Sequence, residues 1–207
     1  MKTLSLIIVA TMMTAATAGN SFAQTITEMN RDFNVESFNR IKLKSVAEVY
    51  FTQGDTYSVK VTGDQEAFDQ SSITVEKGKL IIDVKDPKQK RVDFKGKQLN
   101  VIVTAKDIQS VRFNGVGSFH CDNEISVKHN VDFKMRGVGS ADIAKLKCND
   151  FEYKNTGVGG AKLTVDCRVV KYKNSGVGSS TIYGYAHDIK TKNHGVGKFN
   201  CSNLKFN

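Results

Sequence analysis

The chain has one proline, no tryptophan and only four cysteines in 207 residues. A single proline excludes Pro-rich linkers, and so few cysteines exclude a small scaffold held together by disulfides. No stretch reaches the ~20 apolar residues that a membrane-spanning helix needs. The four histidines, His120, His129, His187 and His194, form no His-x-His, no HExxH and no Cys–His metal spacing. There is no Walker motif and no Gly-x-Ser-x-Gly elbow. Gly157-Val158-Gly159-Gly160-Ala161-Lys162 comes nearest to a dinucleotide fingerprint, but it lacks the last glycine and a surrounding strand–helix unit. The sequence therefore predicts no enzyme activity, no catalytic residues, no cofactor and no metal site.

The first 23 residues read as an address. Lys2 opens them, an apolar run follows over 4–10, and no Asp or Glu occurs before Glu28. Small residues at Ser21 and Ala23 fit a signal-peptidase site before Gln24. The expectation is an exported protein of the periplasm, cell surface or medium, with no transmembrane segment in the mature chain. Charge is uneven beyond the leader. Residues 24–107 hold 14 basic against 13 acidic side chains, whereas residues 108–207 hold 15 against 8, a net +7.

That basic half is a repeat. Gly-Val-Gly stands at 115–117, 137–139, 157–159, 176–178 and 195–197, spaced by 22, 20, 19 and 19 residues. A period near 20 means stacked rungs. The residues before each motif alternate in polarity with period two, which makes the rungs strands. Four positions before the first Gly stand Val111, Phe133, Tyr153 and Tyr172; six before it stand Val131, Phe151, Val170 and Ile189. These columns should be buried.

The fold class expected is all-β: a right-handed parallel β-helix of about 20-residue coils, the hand following the rule for parallel crossovers. The corner residues are Gly115, Gly117, Gly137, Gly139, Gly157, Gly159, Gly176, Gly178, Gly195 and Gly197. Each supplies a positive φ or room for close packing of neighbouring coils. The valines between them are expected to point inward as an aliphatic ladder. Asn155, Asn174 and Asn193 share one column and should bond from coil to coil. Residues 24–107 read as an irregular β part capping the solenoid, and 24–207 as a single domain. Turns are expected at Gln53-Gly54-Asp55, Gly63-Asp64 and Lys77-Gly78, and an exposed loop over 86–91.

The five Gly-Val-Gly motifs, the run Ala47-Glu48-Val49-Tyr50-Phe51-Thr52-Gln53-Gly54-Asp55 after Phe38-Asn39-Arg40-Ile41, and Lys77-Gly78-Lys79-Leu80-Ile81-Ile82 resemble the head GIN domain family, described as auto-transporter adhesins. The resemblance covers roughly 32–207. It implies a β-helix-like fold, an exported protein of a Gram-negative envelope, and an adhesin-like role without catalytic residues.

Two constellations remain as candidates. Cys148 and Cys167 each precede a Gly-Val-Gly by nine residues, so they stack ~4.8 Å apart on adjacent coils. Either a disulfide or a pair of buried free thiols satisfies that register. The other is a basic face. Arg112, Lys134, Lys154, Lys173 and Lys192 stand three before each Gly, and the columns beside them add Arg136, Lys171 and Lys190 against Asp132 and Glu152. Eight cations face two carboxylates, a charge of +6. Such a face either keeps the solenoid soluble and unstacked or docks an anionic polymer or envelope component, such as an acidic polysaccharide, lipid phosphate or extracellular DNA. A structural protein binding a second envelope protein, and a β-helix carbohydrate-active enzyme, are the alternatives. Nucleic acid is not an expected partner, because the tyrosine column is buried rather than free to stack on bases.

Overall fold

The computed structural model describes residues 28–84 and 99–206. The leader, its cleavage point and the 86–91 loop lie outside the described residues. The elements are β1 (Glu28–Phe33), β2 (Arg40–Leu43), β3 (Ala47–Gln53), β4 (Ser58–Asp64), α1 (Gln65–Asp69), β5 (Ser71–Glu76), β6 (Lys79–Val84), β7 (Leu99–Ala105), β8 (Ser110–Phe113), β9 (Phe119–Ser126), β10 (Val131–Met135), β11 (Ala141–Asn155), β12 (Ala161–Asn174), β13 (Ser180–Asn193), β14 (Phe199–Asn200) and β15 (Leu204–Phe206). The molecule is a β-solenoid, as the repeat predicts.

Each regular rung consists of two strand segments joined by a Gly-Val-Gly corner. One wall of the stack runs β6–β2–β8–β10 and on through the second halves of β11, β12 and β13. The other runs β7–β3–β9 and through the first halves of the same three strands. All these pairings are parallel. Among the described residues, antiparallel strands occur at the N-terminal end alone: β5 lies on β6, and β4 and β1 lie beyond β7.

Alternation buries the columns that the sequence marks, except that Ile189, on the last full rung, is only partly buried. Val111, Phe133, Tyr153 and Tyr172 are each at most 1% exposed, as are Phe151 and Val170. Rings meet along the stack. Phe133 lies edge-on to Phe119 at 5.1 Å and to Phe151 at 5.6 Å, and Tyr153 stacks on Tyr172 at 5.9 Å. Such pairs add about 0.5–1.5 kcal/mol each beyond their burial. Beside them runs the amide ladder. Asn155 Nδ2 donates to Asn174 Oδ1, and Asn174 Nδ2 donates to Asn193 Oδ1, both at 3.0 Å. Asn155 and Asn174 each also accept the N–H of the corner glycine two residues on, so the buried amides do not lack partners.

The corners overturn one expectation. The valines do form a ladder, bridged Val46–Val116–Val138–Val158–Val177–Val196, but they point outward. Val116, Val138, Val158, Val177 and Val196 are 46%, 51%, 51%, 49% and 70% exposed. Rungs touch here backbone to backbone. A Cβ on Gly157 would sit 2.1 Å from the Gly137 carbonyl oxygen, and one on Gly159 would sit 1.8 Å from that of Gly139. Glycine fills the tight positions, and the valine between takes the free, outward one. The two glycines also differ. Gly159 holds φ at 133°, a region L-residues avoid, while Gly157 is there for closeness of approach alone.

The N-terminal half carries more of the solenoid than its irregular sequence suggests. Val46 bridges Val116 between buried Ser45 and Ala47, so Ser-Val-Ala makes a further corner, and β2 and β3 make a further rung. Between β3 and β6 the chain leaves the stack through β4, α1 and β5. Asp64 caps α1, accepting the N–H groups of Glu66 at 2.9 Å and Ala67 at 3.2 Å. A tight turn at Lys77 and Gly78, with φ of 48° and 70°, then joins β5 to β6.

Candidate anion-binding face

The outer surface of the β2–β8–β10 wall and its continuation through the second halves of β11, β12 and β13 holds the basic residues that the sequence singles out. Arg112, Lys134, Lys154, Lys173 and Lys192 are successive register partners. The column extends one rung further than expected, because Lys42 pairs Arg112. Six cations therefore stand in line over ~24 Å, at the spacing of paired strands. Lys171 and Lys190 pair with each other in the neighbouring column. Arg136 stands between the lysine column and the corner.

Arg40, Lys42 and Lys79 join this face from the irregular half, and sequence reasoning missed them. A signal was present. Lys42 precedes Ser45 by three residues and Arg40 by five, the offsets of the basic columns before each Gly. Without glycines at that corner the register was not visible.

Carboxylates divide the face into two zones. In the zone away from the corners, Asp132 and Glu152 are register partners, and each is tied to cations. Asp132 lies 3.4 Å from Lys134 and 4.0 Å from Arg112. Glu152 accepts from Lys173 at 2.9 Å. Asp150 holds Arg168 at 2.6 Å and Lys171 at 3.6 Å. The Lys173 hydrogen bond holds the Glu152 carboxyl below the usual carboxylate range. A hollow of about 400 Å³ lies over this mixed zone.

The zone beside the corners is different. A second hollow, of about 390 Å³, is lined by Lys42, Lys79, Arg112, Lys134, Arg136 and Lys154 together with Asn114 and Thr156. Six cations and two neutral polar side chains surround it, with no carboxylate. Among the described residues, Arg136, Lys154 and Lys192 have no carboxylate within ion-pair reach. Arg112 and Lys134 are shared with Asp132, but six cations around a concavity still outnumber the carboxylate that reaches them, and such an excess focuses a positive potential, the electrostatic requirement for holding phosphate, sulfate or carboxylate groups. Among the described residues, no group of three His, Cys, Asp or Glu side chains could hold a metal ion.

On the other wall the register places Cys148 beside Cys167. Both are buried thiols with the sulfurs 3.0 Å apart. Their shared hydrogen bond, with burial, pushes the Cys148 thiol up, and the same bond lowers Cys167.

Solved structures share this architecture. A "putative adhesin" from Bacteroides fragilis superposes with a TM-score of 0.65 at 21% identity, over 84% of this chain and 96% of its own. A "putative lipid binding protein" from Parabacteroides distasonis gives 0.69 at 18% identity, over 87% of this chain and 76% of its own. At those identities the likeness concerns the fold. No curated protein matches the chain. The family model described as "Putative auto-transporter adhesin, head GIN domain" matches residues 37–207, and the chain belongs to that family.

Proposed function

We propose that this protein is a non-enzymatic, adhesin-like binding module of the cell envelope or its exterior that docks an anionic polysaccharide on the basic wall. The observation that carries the reading is the six-rung cation column, Lys42 to Lys192, beside a hollow with six cations and no carboxylate. A solubilising surface does not need one sign in one column. Neighbouring unit charges at strand spacing repel by about 0.9 kcal/mol even in bulk water, and interspersed Glu would relieve this at no cost to the fold. A flat, repeating row of cations matches a linear polymer with a repeating anion. Family membership is in keeping with an adhesin role, and the leader-like composition of the first 23 residues supports the reading of an exported protein.

The test is a triple variant, Lys134→Glu, Lys154→Glu and Lys173→Glu, which takes the eight-cation, two-carboxylate face from +6 to 0. Exposed substitutions usually move stability by no more than ~0.5 kcal/mol each, so thermal unfolding should change little. The parent should bind an acidic polysaccharide such as polygalacturonate at low salt. Binding should weaken as salt shortens the Debye length to ~8–10 Å, and the triple variant should lose it. Equal binding by parent and variant, or no binding by the parent, would reduce the column to a solubilising surface.

A further inference from the structure

We propose that the valine corner of the solenoid seats the protein on an anionic lipid surface, the valines entering the interface and the flanking cations pairing with lipid phosphates. Single exposed apolar side chains are ordinary, but a contiguous line of them is not. Here five valines, each about half exposed or more, are bridged rung to rung from Val116 to Val196, a ridge ~19 Å long at strand spacing. At the five Gly-Val-Gly corners a Cβ on either glycine would strike the backbone of the neighbouring rung; nothing there demands an apolar residue between. Thr or Ser would serve the backbone equally and would prefer water.

Charge beside the ridge decides the occupant. Arg136 is two residues from Val138, within ~7 Å along the chain. Asn114, Arg136 and Thr156, each next to a corner glycine, line the acid-free hollow. A row of small polar groups follows on the other flank, where Ser140 Oγ donates to Ser118 Oγ at 3.1 Å. A second copy docked ridge to ridge would bring cation against cation. A soluble glycan would satisfy the cations and leave the valines wet. A surface offering phosphate and hydrocarbon side by side satisfies both, and an anionic bilayer does so at the boundary between headgroups and acyl chains. Valine is short, so the seat is shallow and binding is reversible. The proposal rests on the polyanion reading for the cations and goes beyond it for the valines.

The experiment sediments the protein with vesicles of phosphatidylglycerol or of phosphatidylcholine, and in parallel measures binding to polygalacturonate. The variant is Val138→Thr, Val158→Thr and Val177→Thr together, which keeps the β-branch and shape at exposed positions. The parent should bind phosphatidylglycerol vesicles and ignore phosphatidylcholine. The variant should bind those vesicles about tenfold more weakly and polygalacturonate as well as the parent does. If the variant holds vesicles like the parent, or the parent binds polygalacturonate but no vesicle, the lipid seat is wrong and the polyanion reading stands. If the parent binds neither, both fall. If the parent is a dimer that the threonines dissolve, the ridge is a contact between copies and the lipid seat is again wrong.

Discussion

A single Cβ is the largest perturbation some corners can meet. At Gly159 an added methyl would overlap the Gly139 carbonyl and also face a φ of 133°. Gly159→Ala should therefore cost about 2–4 kcal/mol from strain and forced separation of rungs. Gly54 gives the contrast: its added Cβ would sit 3.0 Å from the Thr104 Cγ2 methyl, a side-chain end that can shift, with no positive φ to oppose it. Gly54→Ala should stay within about 1 kcal/mol. Denaturant unfolding of the two variants checks this; equal losses would mean that rung contact at the corner is not limiting. The amide ladder and the buried Phe–Tyr columns were legible because identical residues recur at fixed offsets from a glycine. The outward turn of the valines was not legible. Hydrophobicity argued for burial, and only the steric demand of two flanking glycines, visible in three dimensions, reverses it.

The strands stack in register, so chemistry written once per rung is lined up along the molecule. Lys173 faces Lys154 and Lys192, and Cys148 faces Cys167. We propose that the two thiols close to a disulfide when an oxidant is present. Oxidised glutathione would take two electrons and two protons from the pair and leave as two reduced molecules. Mass mapping after that treatment should find Cys148 and Cys167 in one cross-linked peptide pair, and thiols still open to alkylation would refute the pairing. Cys121 and Cys201 share a different column four rungs apart, ~19 Å at strand spacing, and should never appear cross-linked within one molecule. The regular rungs were readable strand by strand. The β4–α1–β5 excursion was not: it carries no repeat, and its five-residue helix is fixed by a local Asp64 cap rather than by any helical period. The same lack of glycines hid the Ser45-Val46-Ala47 corner, and with it the places of Arg40, Lys42 and Lys79 on the basic face.

At the scale of the whole molecule the two ends differ. The N-terminal end is covered by antiparallel β5 on one wall and by β4 and β1 on the other. At the far end β14 and β15 pair only with residues of the Ser180–Ala186 stretch of β13. The rest of that strand, 188–193, pairs with β12 alone among the described residues. Lys190 and Lys192 stand on this open edge, where charge discourages pairing with another chain. Amide exchange should be slowest in β10 to β12, which have neighbours on both sides, and fastest over 188–193. Uniform protection along the stack would mean the solenoid opens as one unit. The order of rungs also bears on how the chain reaches this state. From β8 onward each rung contacts the next across about 20 residues, but β2 must find β8, with Arg40 beside Ser110. Loop closure costs more as the intervening chain lengthens, and contacts distant in sequence form slowly. The half of the protein synthesised first is thus the half that must wait. The Gly-Val-Gly rungs close its open side, and a chain cut short before them would leave β2 and β3 with β6 and β7 as strand partners on one side and bare edges where β8 and β9 pair.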